Sequence, residues 1–213
     1  MPLSLLSLHL YSCGNHPYPP ILQRVDTLVY SDPDSTIILL EQLKGEITLE
    51  PETTQMYYQL LTIKAKDKAY ITHTSDSLIR QVLHYYENTN DKKHLPEAYY
   101  YAGRVYSDLG DAPQALDYYQ KAAERLEGST DYQLLKVVYS QMGELFLFQD
   151  VYEEAMEAYR KAYQYAAMIK DNRGMIINLR NIGTTFTALT MRTALYFITA
   201  QHINKHKRLG IKN

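Results

Sequence analysis

Residues 96–123 read PEAYYYAGRVYSDLGDAPQALDYYQKAA, and residues 136–163 read KVVYSQMGELFLFQDVYEEAMEAYRKAY. The first contains Tyr99-x2-Ala102-Gly103-x2-Tyr106, and forty residues later the pattern returns as Tyr139-x2-Met142-Gly143-x2-Phe146. Each continues into a second element, Ala115-x3-Tyr119-x2-Ala122 and Ala155-x3-Tyr159-x2-Ala162, with twelve positions from the Gly to the first Ala in both copies. Spacings of three and four place these residues on single helix faces. Glycine inside a helix costs about 1 kcal/mol against alanine, so Gly103 and Gly143 require compensation from close packing. The expectation is that the first helix of each pair approaches the second at the glycine, with Ala115 and Ala155 as the matching small surface. Tyr106 and Tyr119, like Phe146 and Tyr159, then fill the space beside that contact. A pair of this kind cannot bury both of its faces alone, so pairs stack into a solenoid.

A third copy begins at Leu179-x2-Ile182-Gly183-x2-Phe186 and continues to Ala194-x3-Ile198. It departs from the others: one residue is lost between Gly183 and Ala194, and Gln201 stands where the last small residue is expected. The series resembles the tetratricopeptide repeat, a pair of antiparallel helices repeated about every 34 residues. That resemblance implies an all-α superhelix of about five antiparallel helix pairs. Clear repeats are expected at 96–129 and 136–170, a degenerate one at 176–207, and divergent pairs at 20–45 and 52–89.

The punctuation outside the repeats is helical too. Asp32-Pro33 reads as an N-cap followed by proline at the first helical position. Pro51 opens a longer helix, and Thr74-Ser75-Asp76 precedes the next. With 213 residues, 46% of them hydrophobic, the chain is long enough to bury a sizeable core. A net charge of −2 gives no basic footprint for nucleic acid.

Residues 1–19 read differently. A Leu-rich run ends in Leu10-Tyr11-Ser12-Cys13, which resembles the lipobox of bacterial lipoprotein signal peptides. Together with the repeats this resembles the tetratricopeptide repeat lipoproteins of Gram-negative bacteria. It implies lipidation at Cys13, the single cysteine, a short Pro-rich tether, and a domain held at the cell envelope facing the periplasm. An uncleaved leader would instead leave the protein in the cytoplasm.

No catalytic constellation stands out, and no cofactor is expected. His202-x3-His206 has the i, i+4 spacing of a helical metal pair but lacks the adjacent glutamate of a zinc protease, so no metal site is assigned. His84 reads as a packing residue. What remains is a surface. In tetratricopeptide arrays the first helices line a concave groove, and the resemblance places Tyr100, Tyr101, Arg104 and Ser107 there from the first clear repeat, Gln141 and Glu144 from the second, and Arg180, Asn181 and Thr184 from the third. The set suits a peptide or protein segment, with Tyr100 as aromatic anchor and Arg104 and Arg180 as carboxylate partners. The carboxylate clamp of chaperone-binding arrays is not reproduced. The expected function is a non-catalytic protein-interaction scaffold or sensor module; the alternative is a glycan-binding surface lipoprotein of a nutrient-uptake system. The apolar residues Leu195, Phe197, Ile198 and Ile203 near the end are expected to leave the last repeat uncapped, so that either this chain is the front portion of a longer architecture or the end self-associates.

Overall fold

The computed structural model describes residues 18–208, with side chains to Gln201. Cys13 and the lipobox fall outside the described residues, as do the side chains of His202 and His206. Nine α-helices and no strands occur among the described residues, in agreement with the all-α expectation: α1 (Pro20–Leu28), α2 (Pro33–Ile47), α3 (Glu52–Lys68), α4 (Ser77–Thr89), α5 (Leu95–Asp108), α6 (Ala112–Arg125), α7 (Tyr132–Phe148), α8 (Tyr152–Met168) and α9 (Asn172–Arg208). The chain divides into two compact units at Ala69/Tyr70.

The first unit holds α1, α2 and α3. Leu22, Val25 and Val29 from α1 and its end, Leu40 and Ile47 from α2, and Tyr57, Leu61 and Ala65 from α3 form its core. Asp32 caps α2 by accepting from the Ser35 N–H at 3.1 Å, with Pro33 at the first helical position, as the sequence predicts. Lys64 is buried, and its charge is met by Asp26 at 2.6 Å, which also accepts from the Tyr57 hydroxyl at 3.0 Å.

In the second unit each helix packs on its neighbours in the chain: α4 on α5, α5 on α6, α6 on α7, α7 on α8, and α8 on α9. This is the sequential, nearest-neighbour arrangement of a solenoid. The two helices of the expected pair 52–89 fall in different units. The first of them, α3, belongs to the three-helix unit, and within the second unit α4 packs on α5.

The turns repeat as closely as the helices. Asn90, Gly110, Asp150 and Lys170 all take left-handed backbone conformations, with φ of 48°, 79°, 59° and 56°. Around each, two N–H groups bond back to the preceding helix. Gly110 N–H reaches the Ser107 carbonyl and Asp111 N–H reaches that of Tyr106; Asp150 and Val151 do the same with Leu147 and Phe146, and Lys170 and Asp171 with Ala167 and Ala166. These are Schellman caps, in which only one of the four left-handed residues is glycine. Aspartates at 111, 131 and 171 then cap the following helices through the N–H of residues 114, 134 and 174.

Two of the three repeat glycines are closely packed and the third is open. A Cβ added to Gly103 would overlap the Tyr119 ring, and one added to Gly143 would sit 2.7 Å from two carbons of the Tyr159 ring. Both rings are buried. The recess is thus filled by an aromatic ring from the second helix, not by Ala115 or Ala155, although both alanines are fully buried beside it. Gly183 has nothing within 4 Å of where its Cβ would be. The third repeat expected at 176–207 does not turn back on itself, because α9 runs unbroken from Asn172 to Arg208. Residues 184–193, TTFTALTMRT, contain no Gly, Pro, Asn or Asp to stop it, and Ala194 lies exposed on the continuing helix.

Candidate functional site

The residues expected in a groove lie on α5, α7 and the first half of α9. Tyr100 and Tyr101 are not available to a ligand. They are 5% and 2% exposed, set edge to face at 4.9 Å, with Tyr100 also 6.0 Å from Tyr119. The reason is that α5 is packed by α4 on one side and α6 on the other, so most of its circumference is occupied. The aromatic anchor assigned to Tyr100 is core.

The polar candidates do come together. Arg104 donates to the Gln141 side-chain oxygen from one repeat to the next, and the Gln141 amide reaches Glu144 at 3.2 Å. Ser107, Gln141 and Asn181 are half-buried, while Glu144, Arg180 and Thr184 are exposed. The Thr184 hydroxyl is turned back onto the Arg180 carbonyl at 3.0 Å. On α9, Arg173, Ile177, Arg180 and Thr184 follow spacings of four, three and four and so form one stripe.

Next to this ladder is a pocket that the sequence reading missed. It has a volume of about 260 Å³ between α7 and α9, with Val137 and Ile177 as its apolar lining and Lys136, Ser140, Asp171, Arg173 and Asn178 around it. Lys136 bonds Asp171 at 2.6 Å, and Asp171 also accepts from the Gly174 N–H at 2.9 Å. The lysine first and the N–H second hold this carboxyl below the ordinary carboxylate range. Asn178 is buried, donating to the Gly174 carbonyl at 2.9 Å and meeting Ser140 at 3.3 Å. A Cβ on Gly174 would displace the Asp171 carboxylate and meet Ala166 at 3.3 Å. Asp171 ahead of α9 is a residue type favoured at an N-cap, the one signal by which this corner was legible.

A second missed feature is a cleft of about 760 Å³ between the ends of α6, α7 and α8. Tyr165 lies between Tyr132 and Tyr139, stacked at 6.0 and 5.7 Å, and the Lys161 amine stands 5.0 Å from the Tyr139 ring centre. Glu124 and Glu127 stand at its edge.

The geometry and the sequence agree with known proteins. Residues 94–168 match the tetratricopeptide repeat family. These repeats include α5 to α8, both aromatic-filled glycine recesses and the Arg104–Gln141 link. Among solved structures, the chain is similar to a signal transduction ATPase with numerous domains from Pyrococcus horikoshii, a protein with a tetratricopeptide repeat sensor. Identity is 17% and the TM-score 0.57, over 78% of this chain and 26% of that one. The likeness establishes the fold, and the chain spans about a quarter of that relative's length. No curated protein matches the chain. Tetratricopeptide repeats generally mediate protein–protein interaction, and the repeats at residues 94–168 suggest a scaffold of that kind. Among the described residues no group of three or more His, Cys, Asp or Glu is placed to hold a metal ion, and no helix is long and apolar enough to cross a membrane.

Proposed function

We propose that the second unit binds an acidic segment of a partner protein along α7 and α9, as a non-catalytic scaffold or sensor module. The observation that supports this is the pocket between Val137 and Ile177, an apolar floor beside a basic stripe. A small apolar side chain fits about 260 Å³, and flanking carboxylates meet Arg173 and Arg180, both exposed. Arg104, already bonded to Gln141, orders the ladder that continues the surface toward α5. The sensor role of the repeats in the P. horikoshii protein fits the same reading.

The test is selection from a random displayed peptide library against the full chain. Selected peptides carry carboxylates around one small apolar residue. Their affinity falls about tenfold or more in Arg173→Ala/Arg180→Ala and weakens with added salt. Peptides that bind this variant as well as the wild type would remove the groove reading. The glycan reading has one observation in its favour, the tyrosine-lined cleft with Glu124 and Glu127 at its edge; retention on polysaccharide columns that is lost in Tyr132→Ala would favour it.

The module is further proposed to be tethered at the cell envelope through an acylated Cys13. Labelled fatty acid then enters the wild type and not Cys13→Ala; equal incorporation into both sinks the tether.

A further inference from the structure

The first clear repeat closes a corner that the second leaves open. In the first, α4 packs on α5, and the Tyr99 hydroxyl on α5 donates to Glu87 on α4 at 2.9 Å. Arg125, the last residue of α6, donates to Asn90 at 3.2 Å, and its guanidinium stands beside the same hydroxyl. Burial and then Glu87 push that tyrosine up, and Arg125 acts in the opposite direction. A carboxylate, a tyrosine and a guanidinium together fill the space between the three helices.

Forty residues on, Glu87 becomes Glu127, Tyr99 becomes Tyr139 and Arg125 becomes Tyr165. The carboxylate and the tyrosine are kept, and the guanidinium is lost. Glu127 remains close enough to raise Tyr139 further, after burial, but among the described residues the Tyr139 hydroxyl makes no hydrogen bond and neither Glu127 nor Glu124 forms an ion pair. In place of the closed corner is the cleft of about 760 Å³. The cation in its lining, Lys161, is turned onto the Tyr139 ring at 5.0 Å. Its counterpart Lys121 bonds Asp117 at 2.8 Å, whereas Lys161 meets no carboxylate among the described residues. Two carboxylates against one ammonium leave the lining with one uncompensated negative charge.

We infer that the cleft between α6, α7 and α8 binds an arginine side chain of a partner polypeptide, which supplies from outside the guanidinium that Arg125 supplies within the first repeat. A guanidinium is planar and weakly hydrated and stacks on aromatic faces. Tyr132, Tyr165 and Tyr139 offer a row of half-buried rings within 17° and 21° of parallel. The same group donates in a fork that matches carboxylates, and Glu124 and Glu127 are exposed on the α6 side of the rings. Leu126 and Leu135, both buried, give an apolar floor for the aliphatic stem. A neutral sugar would stack on the same rings but leave the charge unmet. This site is separate from the surface of α7 and α9 proposed for an acidic segment, and it does not depend on that reading.

Calorimetric titration of the full chain with the blocked tripeptide acetyl-Gly-Arg-Gly-amide tests this, against the same peptide carrying citrulline, which keeps the shape and loses the charge. The arginine peptide is expected to bind about tenfold or more tightly than the citrulline one, and more weakly as salt is added. Glu127→Gln, an exposed and nearly isosteric change, lowers the affinity about tenfold. Glu157→Gln, at an exposed acid beside Arg160, leaves it unchanged, as does Arg173→Ala/Arg180→Ala. Tyr165→Arg restores the residue of the first repeat, so the site is filled from within and binding is lost while helicity by circular dichroism is kept. Equal binding of the two peptides, no binding of the arginine peptide at millimolar concentration, or an affinity indifferent to Glu127→Gln would each overturn the inference. So would a folded Tyr165→Arg chain that binds like the wild type, and a cleft that retains neutral polysaccharide but no arginine peptide would overturn it in favour of a sugar.

Discussion

Gly103 and Gly143 on one side, and Gly183 on the other, occupy the same place in the same motif and have opposite physical meanings. At the first two a buried tyrosine ring occupies the volume a side chain would need. At the third the glycine is a helix defect with no contact to compensate it. The difference arises some residues away. α5 and α7 end in left-handed caps that return the chain as α6 and α8, whereas α9 has no stop and carries its second half past the point of return. A repeat motif is therefore a statement about two helices and the turn that joins them, and when the turn is lost the remaining signature becomes exposed surface.

The largest effect expected from breaking this comparison is removal of the rings. Tyr119→Ala and Tyr159→Ala each empty a recess in a buried interface and should cost about 3–5 kcal/mol in urea unfolding; a cost under ~1 kcal/mol for either would show that the recess is not a packing site. Alkali acts on one of these rings, Tyr159, and on Tyr99 of the first repeat. Burial first, and then Glu87, pushes Tyr99 up to about 12, and burial with Glu144 does the same for Tyr159. A raised pKa means that the unfolded chain ionises first, so stability present below pH 10 is lost as pH rises toward 12. The loss should be reduced in Tyr99→Phe and should coincide with tyrosinate absorbance.

Filling the recesses from the other side is the next test in size. Gly103→Ala and Gly143→Ala gain about 1 kcal/mol of helix propensity but overlap a ring that cannot move without disturbing its neighbours, for a net loss of about 1–2 kcal/mol. Lys136→Met removes the lysine that stabilises the charged Asp171 and should cost about 1 kcal/mol near neutral pH, as for a half-exposed pair. Asp171 titrates below its ordinary 3.8 in the folded chain, so its contribution is present above that pH and disappears as pH falls through the lower folded value; wild type and variant should converge there. The smallest effect has the reverse sign. Gly183→Ala has only propensity to gain and should stabilise the isolated chain by up to about 1 kcal/mol, read as a rise in melting temperature under dilute conditions. A destabilised Gly183→Ala chain would mean that the recess is covered even there.

Much of this fold could be read without coordinates because its determinants are local. The three- and four-residue spacing of Tyr99, Gly103 and Tyr106 and the Asp32-Pro33 cap act within one or two turns of helix, and each appears as predicted. The site was less legible. Tyr100 and Tyr101 adjoin the groove in register but are taken into the core, since which part of a helix's circumference is covered depends on helices distant in sequence. Lys136 and Asp171, thirty-five residues apart, had no local pattern pointing to their contact. The packing of α4 on α5 was hidden for the same reason.

From the sequence alone came the helical class, the forty-residue period and the demand for a close approach at Gly103 and Gly143, because helix propensity, side-chain volume and capping are properties of neighbouring residues. Tertiary structure alone decided that rings and not alanines fill those recesses, that the tyrosines of α5 are core, and that the third repeat stays open. Each of those outcomes depends on which surfaces meet across the solenoid, and burial is a relation between segments that no single segment carries.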